Sequence, residues 1–338
     1  MISSRPALLA ACLAALGVGL LLPAGASAQE SAPGAPYVPT PMNAVEEMLQ
    51  LADVSRSDTV YDLGSGDGRL PVAAARLYGA HGVGVEIQPD LVARARENAR
   101  AAGVDSLVRF IRGDLFETDL RSATVVTLYL FPEMNRKLRS TLLRQLEPGD
   151  RIVAHDFDMG EWQADSVVRV PGREGGTTGP PGDVPPVDGE EQEATLDSLA
   201  AALRSTDDGD PGVPGTEPIL GAAELYRWVV PADVGGTWRV ALPDGRRVRV
   251  RLDQRYQEVR VTPVAGSLNA ESVRVTGRDV RLELPGPDGD AVVLTGTVAG
   301  DRIRGRTPDG DRWSARRVED TDRSMLEWEE AGSTGSSP

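Results

Sequence analysis

The chain has 338 residues, room for one large domain or two modest ones, and carries 51 acidic against 36 basic residues for a net charge of −15. A surface of that sign lacks the phosphate-neutralising character that nucleic-acid binding needs, so no nucleic-acid partner is expected. Two histidines, His81 and His155, leave no histidine-rich metal cluster, and no metal site is expected.

The chain opens with Arg5, an apolar run from Ala7 to Leu22, and then Ala26-Ser27-Ala28. That order reads as a secretory signal peptide over residues 1–28, cleaved after Ala28, and predicts an exported protein, periplasmic or secreted. The run is short for a transmembrane helix, so no stable membrane span is expected after cleavage. Cys12, the only cysteine, lies inside this segment, which excludes disulfides and cysteine nucleophiles from the mature chain. Lys137 is the only lysine; arginine supplies every other positive side chain.

From Tyr37 onward, apolar runs alternate with helix-like stretches in the βαβ rhythm of a parallel sheet. Thr59–Leu63, Gly82–Ile87, Val108–Arg112, Thr124–Leu130 and Arg151–Phe157 read as strands. Arg69–Tyr78, Leu91–Ala102 and Asn135–Gln145 have helical spacing, and Glu147–Asp150 is a turn. Residues 172–221 are rich in glycine, proline and acids and read as a flexible insertion, with one short helix around Leu196, Leu199 and Leu203. Leu225–Val230 returns as a strand, so the first domain spans residues 37–232. Over residues 235–318 the pattern becomes short period-two runs such as Val248–Leu252, separated by turns at Pro243–Gly245, Pro287–Gly289 and Pro308–Gly310. About eight strands in such a length predict a small antiparallel β-barrel or sandwich, followed by a disordered tail over residues 319–338.

The segment that carries chemistry is Val60-Tyr61-Asp62-Leu63-Gly64-Ser65-Gly66-Asp67-Gly68-Arg69. An apolar strand ends in an acid and runs into a glycine turn that opens a helix, where backbone can approach a ligand closely. Glu86 ends the next strand, the place from which an acid accepts hydrogen bonds from ribose hydroxyls. Asp114 follows the third strand, within reach of an adenine amino group. A dinucleotide would bring a pyrophosphate to the helix N-terminus. This turn is flanked by Asp62 and Asp67 and favours a ligand carrying a cation, which selects S-adenosylmethionine (SAM) with its sulfonium.

The Asp62–Gly68 turn resembles motif I of class I SAM-dependent methyltransferases, which have a Rossmann-like α/β sheet. Tyr37-Val38-Pro39-Thr40-Pro41, Thr127-Leu128-Tyr129-Leu130, His155-Asp156-Phe157 with Gly160-Glu161-Trp162, and Tyr226–Pro231 resemble the small seven-strand protein-lysine methyltransferases of mitochondria and their bacterial homologues. The resemblance implies that Asp62, Gly64 and Gly66 contact the methionine part of SAM, that Glu86 holds the ribose and Asp114 the adenine, and that Pro39–Pro41 caps the cofactor with Thr40 as a polar contact. The fourth strand lacks the Asn/Asp-Pro-Pro-Tyr motif of amino-group methyltransferases and offers Tyr129 and Pro132-Glu133 instead. Tyr129, Glu133 and Asp156 are the candidates for orienting the nucleophile. The expected function is methyl transfer from SAM, with a lysine amine of a protein substrate as acceptor. The alternative is a non-catalytic SAM- or nucleoside-binding module with a β-rich recognition domain. In that last domain, Gly236-Thr237-Trp238 and Arg316-Arg317 stand where lipocalin-like barrels pack a tryptophan against an arginine; a core tryptophan under an arginine is the plainer reading.

Overall fold

Strands whose side chains are buried on both faces need helices on both faces, and residues 37–229 build that arrangement. The structure, a computed structural model, describes residues 37–171, 222–263, 272–285 and 291–319. The expected signal segment, the 172–221 insertion with its short helix, the Pro287–Gly289 turn and the tail from residue 320 lie outside the described residues. In chain order the elements are α1 (Met42–Leu51), β1 (Thr59–Leu63), α2 (Arg69–Tyr78), β2 (His81–Glu86), α3 (Pro89–Ala101), β3 (Val108–Arg112), β4 (Val125–Leu128), α4 (Pro132–Gln145), β5 (Arg151–His155), β6 (Ser166–Val170) and β7 (Ala223–Val229). They form one seven-stranded sheet in the order β3-β2-β1-β4-β5-β7-β6. Strands β1 to β5 run parallel, while β7 pairs antiparallel with both β5 and β6.

Helices α1, α2 and α3 cover one face through Val45, Met48, Leu49, Val72, Val92 and Ala95, which pack on Val60, Val125 and Val153. Helix α4 covers the other through Leu138 and Leu142, against Leu63, Val126, Leu128 and Ile152. Proline opens both α3 and α4, at the position where a missing N–H costs nothing. Two elements were not expected from the sequence. Helix α1 follows directly on Pro41 and buries Ala44, Val45, Met48 and Leu49. Strand β6 is a sheet edge that leaves Val167 and Val168 exposed. The fifth strand also stops at His155, short of the expected Phe157, because Asp156 adopts a left-handed φ of 61°. Its carboxylate accepts from the Glu224 N–H, and its own N–H donates to the Glu224 carbonyl.

A closed eight-stranded antiparallel barrel follows. It comprises β8 (Gly236–Ala241), β9 (Arg247–Arg255), β10 (Glu258–Pro263), β11 (Ser272–Thr276), β12 (Asp279–Pro285), β13 (Ala291–Ala299), β14 (Arg302–Arg306) and β15 (Arg312–Glu319). Period-two alternation sends Trp238, Val250, Leu252, Leu282, Leu294, Ile303 and Trp313 inward. The Arg317 guanidinium lies 4.9 Å from the Trp238 ring centroid and donates to the carbonyls of Asp233 and Gly235. Of the two expected arginines it is therefore Arg317 that caps the tryptophan.

The two cores meet without a spacer. Strand β7 passes through Pro231–Gly235 straight into β8, and the Ala232 N–H donates to the Gly277 carbonyl at 2.7 Å. Tyr256, at the β9–β10 turn, lies stacked on Trp162 with centroids 5.6 Å apart and planes 8° apart, within the core of the sheet domain.

Candidate active site

Strand ends on one face of the sheet converge beside the glycine turn. Asp62 of β1 stands in register with Thr127 of β4, whose hydroxyl donates to Asp62 Oδ1 at 2.8 Å. Alternation places Asp62, Thr127, Tyr129 and His155 on the face that carries Val60, Val125 and Val153, beneath α1. Gly64, Gly66 and Gly68 all take positive φ, so the loop turns tightly around the end of β1. At Gly66 a Cβ would lie 2.3 Å from the Tyr37 ring, so only glycine lets that ring rest on the loop.

The loop is fixed from two sides. The Gly66 N–H donates to Glu86 Oε2 at 3.0 Å, and the Gln88 N–H donates to Glu86 Oε1 at 2.9 Å. Asp67 makes a two-pronged ion pair with Arg69, at 2.9 and 2.6 Å. The same guanidinium donates to the Thr40 carbonyl at 2.8 Å and so straps residues 37–41 across the turn. Burial, followed by the neighbouring Asp67 carboxylate, raises the Tyr37 hydroxyl well above the usual phenol range.

The electrostatics of this pocket select the sign of its ligand. Asp62, Asp67 and Glu86 are all buried, and Arg69 neutralises Asp67 alone. Burial chiefly pushes the Asp62 carboxyl up to about 7; the Thr127 hydroxyl opposes this, while the Asp67 and Glu86 carboxylates add to it. Buried carboxylates without a cation are costly, and a cationic ligand removes the cost. Ser65 Oγ is buried beside them with no hydrogen-bond partner among the described residues. A ligand with an ammonium and a sulfonium fits this donor set; a pyrophosphate does not.

Asp114 lies just past β3, where its carboxylate accepts from the Phe116 N–H at 2.8 Å. It is tied to the acid at the end of β2 through the Gly113 N–H, which donates to the Glu86 carbonyl. A cleft of about 570 Å³ opens beside Asp114, lined by Tyr61, Arg109, Ile111 and Glu117. Its lining includes neither Asp62 nor any residue of the glycine turn, so it is not the crevice over Asp62. Thr40 is buried within the strap.

Beyond Asp62, the ends of β4 and β5 present an aromatic wall. The Tyr129 ring lies 4.1 Å from that of His155 and 6.4 Å from that of Phe157, and Phe131 lies 6.4 Å from Phe157. His155 is 2% exposed, and neither ring nitrogen has a hydrogen-bond partner among the described residues. Burial lowers its pKa, with the Asp156 carboxylate 3.7 Å away opposing, so the imidazole is neutral near pH 7. Of the residues expected to orient a nucleophile, Tyr129 and Asp156 belong to this wall. Glu133 does not: it is exposed on the first turn of α4 and paired with Arg136. His155 was not among the expected site residues, although its position two beyond Val153 on the Asp62 face is readable from the alternation.

A Rossmann-like sheet with a glycine turn and buried, cation-seeking acids at successive strand ends defines a class I SAM-dependent methyltransferase. The family model for the ANTKMT methyltransferase domain matches residues 62–166. Over 139 residues the chain is 41% identical to a protein-lysine N-methyltransferase of the archaeon Saccharolobus islandicus, spanning 41% of this chain and 86% of that one. It is 36% identical to the adenine nucleotide translocase lysine N-methyltransferase of Mus musculus, over 39% of this chain and 58% of the relative. A solved RNA methyltransferase of Salinibacter ruber, in complex with S-adenosyl-L-homocysteine, is 60% identical over 39% of this chain and 86% of its own, with a TM-score of 0.39. The chain belongs to the family of SAM-dependent protein-lysine N-methyltransferases, and is an enzyme rather than a passive binding module. It spans little more than half the length of the mouse relative.

Proposed function

We propose that the protein methylates the side-chain amine of a lysine in another protein, at the wall formed by Tyr129, His155 and Phe157, with SAM held over Asp62, Glu86 and Asp114. The observation that carries this reading is the pair of buried carboxylates, Asp62 and Glu86, with no cation paired to them among the described residues, on strands that lead to the aromatic wall. Bound SAM supplies an electrophilic methyl on sulfur, which forms a C–N bond as the C–S bond breaks.

The chain's own residues would do the rest. Asp62, ordered by Thr127, accepts from the ammonium of the methionine part, and Glu86 accepts from the ribose while holding the turn through Gly66. Asp114 retains one carboxylate oxygen for the adenine amino group. Gly64 and Gly66 admit the ligand to the backbone, and the strap at Thr40 closes over it. The acceptor amine must lose a proton, which costs about 4–5 kcal/mol for an ordinary lysine at pH 7. A neighbouring sulfonium disfavours the ammonium, and the buried imidazole of His155, without a hydrogen-bond partner among the described residues, stands ready to take the proton. No nucleic-acid acceptor is proposed, given the net charge of −15.

We also propose that the enzyme acts outside the cytoplasm, on the strength of Arg5, the Ala7–Leu22 run and Ala26–Ala28. Among the described residues no helix is long and apolar enough to cross a membrane. Purified protein incubated with labelled SAM and an envelope protein extract, followed by mass spectrometry, tests both proposals. Methyl label on lysine of envelope proteins is expected, and label confined to RNA, small molecules or carboxylates would refute the acceptor. An unprocessed N-terminus on the protein from its own cells would refute export.

A further inference from the structure

The barrel inverts the charge of the chain. Residues 236–319 hold sixteen arginines and no lysine against twelve acids, a net of +4 within a chain of −15. The excess is not scattered. Arg302 of β14 faces Arg316 of β15, Arg316 faces Arg239 of β8, and Arg239 faces Arg249 of β9. Four arginines thus stand directly opposite one another across four neighbouring strands. All four are exposed, and none has an acidic partner among the described residues. Like charges directly opposite in an antiparallel pair repel, so a row of this kind weakens the barrel unless an anion shares it. Other barrel arginines are supplied with acids: Arg246 with Asp244, Arg251 with Asp253, Arg281 with Glu283 and Arg317 with Asp301.

We infer that this arginine row is a docking surface for an acidic, extended segment of the protein substrate. The inference rests on the reading of the enzyme as one that modifies other proteins. Guanidinium groups match carboxylates two-pronged, and a row spaced by the roughly 4.8 Å between strands presents them to a chain laid across the barrel. The shape of the surface narrows the partner. The row crosses four of eight strands of a closed barrel and so bends about half way round it. A flat bilayer or a stiff duplex touches only part of such a curve, whereas a flexible peptide follows it. Single-stranded nucleic acid would also bend, but it binds by stacking bases on exposed aromatics. The described aromatic residues of the barrel, Trp238, Tyr256 and Trp313, are all buried.

The rest of the chain carries the opposite charge, so an acidic tract is held by the barrel and repelled elsewhere. A lysine of the same substrate meets a negatively charged domain. The two halves therefore favour a substrate with both features.

The test uses the full chain and a labelled poly-glutamate peptide, followed by fluorescence anisotropy at low and high salt. Binding that weakens with salt is expected, as is a loss of about tenfold or more in the R239Q/R249Q/R302Q/R316Q variant, from four charge pairs of modest worth. Circular dichroism and SAM affinity report whether the variant folds; if it does not, R239Q/R316Q replaces it and should lose about threefold or more on the same grounds. In a methylation assay, joining a glutamate tract to a lysine acceptor peptide should raise its turnover in the wild type and not in the variant. Unchanged poly-glutamate binding in a folded variant overturns the inference, as does tighter binding of single-stranded RNA or of anionic phospholipid vesicles than of the peptide. Failure of the lysine reading looks different: poly-glutamate binding persists while no lysine acceptor is methylated.

Discussion

The hydroxyl of Thr127 donates to Asp62 Oδ1 across 2.8 Å, joining the ends of β1 and β4 at the point where ligand charge must be met. Asp62 has a folded-state pKa of about 7, above its unfolded value, because burial penalises the carboxylate. The sign follows from that direction. The group favours the SAM-free fold fully only below its unfolded pKa, and this contribution is lost as pH rises through about 7. SAM affinity should therefore fall as pH drops below about 7, by up to roughly tenfold per unit, with proton release on binding. Asp62→Asn retains the Thr127 bond, removes this pH dependence and makes the SAM-free protein more stable than wild type above pH 7. It should weaken SAM by about 1.5–3 kcal/mol. Titration calorimetry across pH checks affinity and proton release together; equal SAM affinity in the two proteins at pH 8 would remove Asp62 from the site.

Arg69 serves both the turn and the strap. Arg69→Ala leaves Asp67 buried without its cation and the Thr40 carbonyl without its donor, and should cost about 3 kcal/mol or more. Asp67→Asn added to it should recover part of that loss, since the unpaired charge then disappears. Urea denaturation of the single and double variants gives the coupling, and simple additivity would show that the pair does not act as a unit.

His155→Asn keeps a polar group of smaller size while removing the neutral base. Its kcat should drop about 100-fold with SAM affinity nearly unchanged. In the wild type, the acid limb of the kcat profile should lie below the ordinary histidine value of about 6.5, because burial depresses this imidazole. That limb should be missing from the variant. An identical pH profile in both proteins would make His155 a packing residue only.

Tyr256 belongs to the barrel by chain position and to the sheet domain by packing. Tyr256→Ala should cost about 3 kcal/mol. Tyr256→Gly should cost slightly less, because glycine relieves the backbone at φ 54°. Heating wild type should melt both domains in one transition. Two well-separated calorimetric transitions in the wild type would show that the stacked rings do not join the cores.

The sequence makes most of the sheet legible, because period-two runs and a glycine turn leave marks that survive without tertiary information. Asp62, Gly64, Gly66, Glu86 and Asp114 all stand at the strand ends where the pattern put them. Helix α1 follows directly on Pro39–Pro41, expected only as a cap over the cofactor, although Ala44, Val45, Met48 and Leu49 recur at helical spacing. Strand β6 was hidden for another reason: an edge strand pairs on one side, so Val167 and Val168 need not alternate with polar residues. His155 lay one residue before the expected Asp156. Alternation from Val153 already puts His155 on the Asp62 face; what leaves no local mark is the left-handed turn at Asp156, held by Glu224 from a strand far along the chain. The Arg69 bridge to Thr40 likewise spans separated segments and leaves no local pattern.

The junction at Pro231–Gly235 has a mechanical consequence. Its Ala232 N–H is bound to Gly277, the Gly149 N–H to Val230, and Tyr256 is seated under Trp162. A hinge needs a few residues free to change their backbone angles, and here those residues are anchored at both ends. The barrel therefore turns with the sheet as one body. The strap at Tyr37–Pro41 is tied to the glycine turn by side chains, through Arg69 to the Thr40 carbonyl and through Tyr37 to Asp67. An acceptor held on the barrel therefore meets the strand ends of the sheet without a closing movement between the two cores.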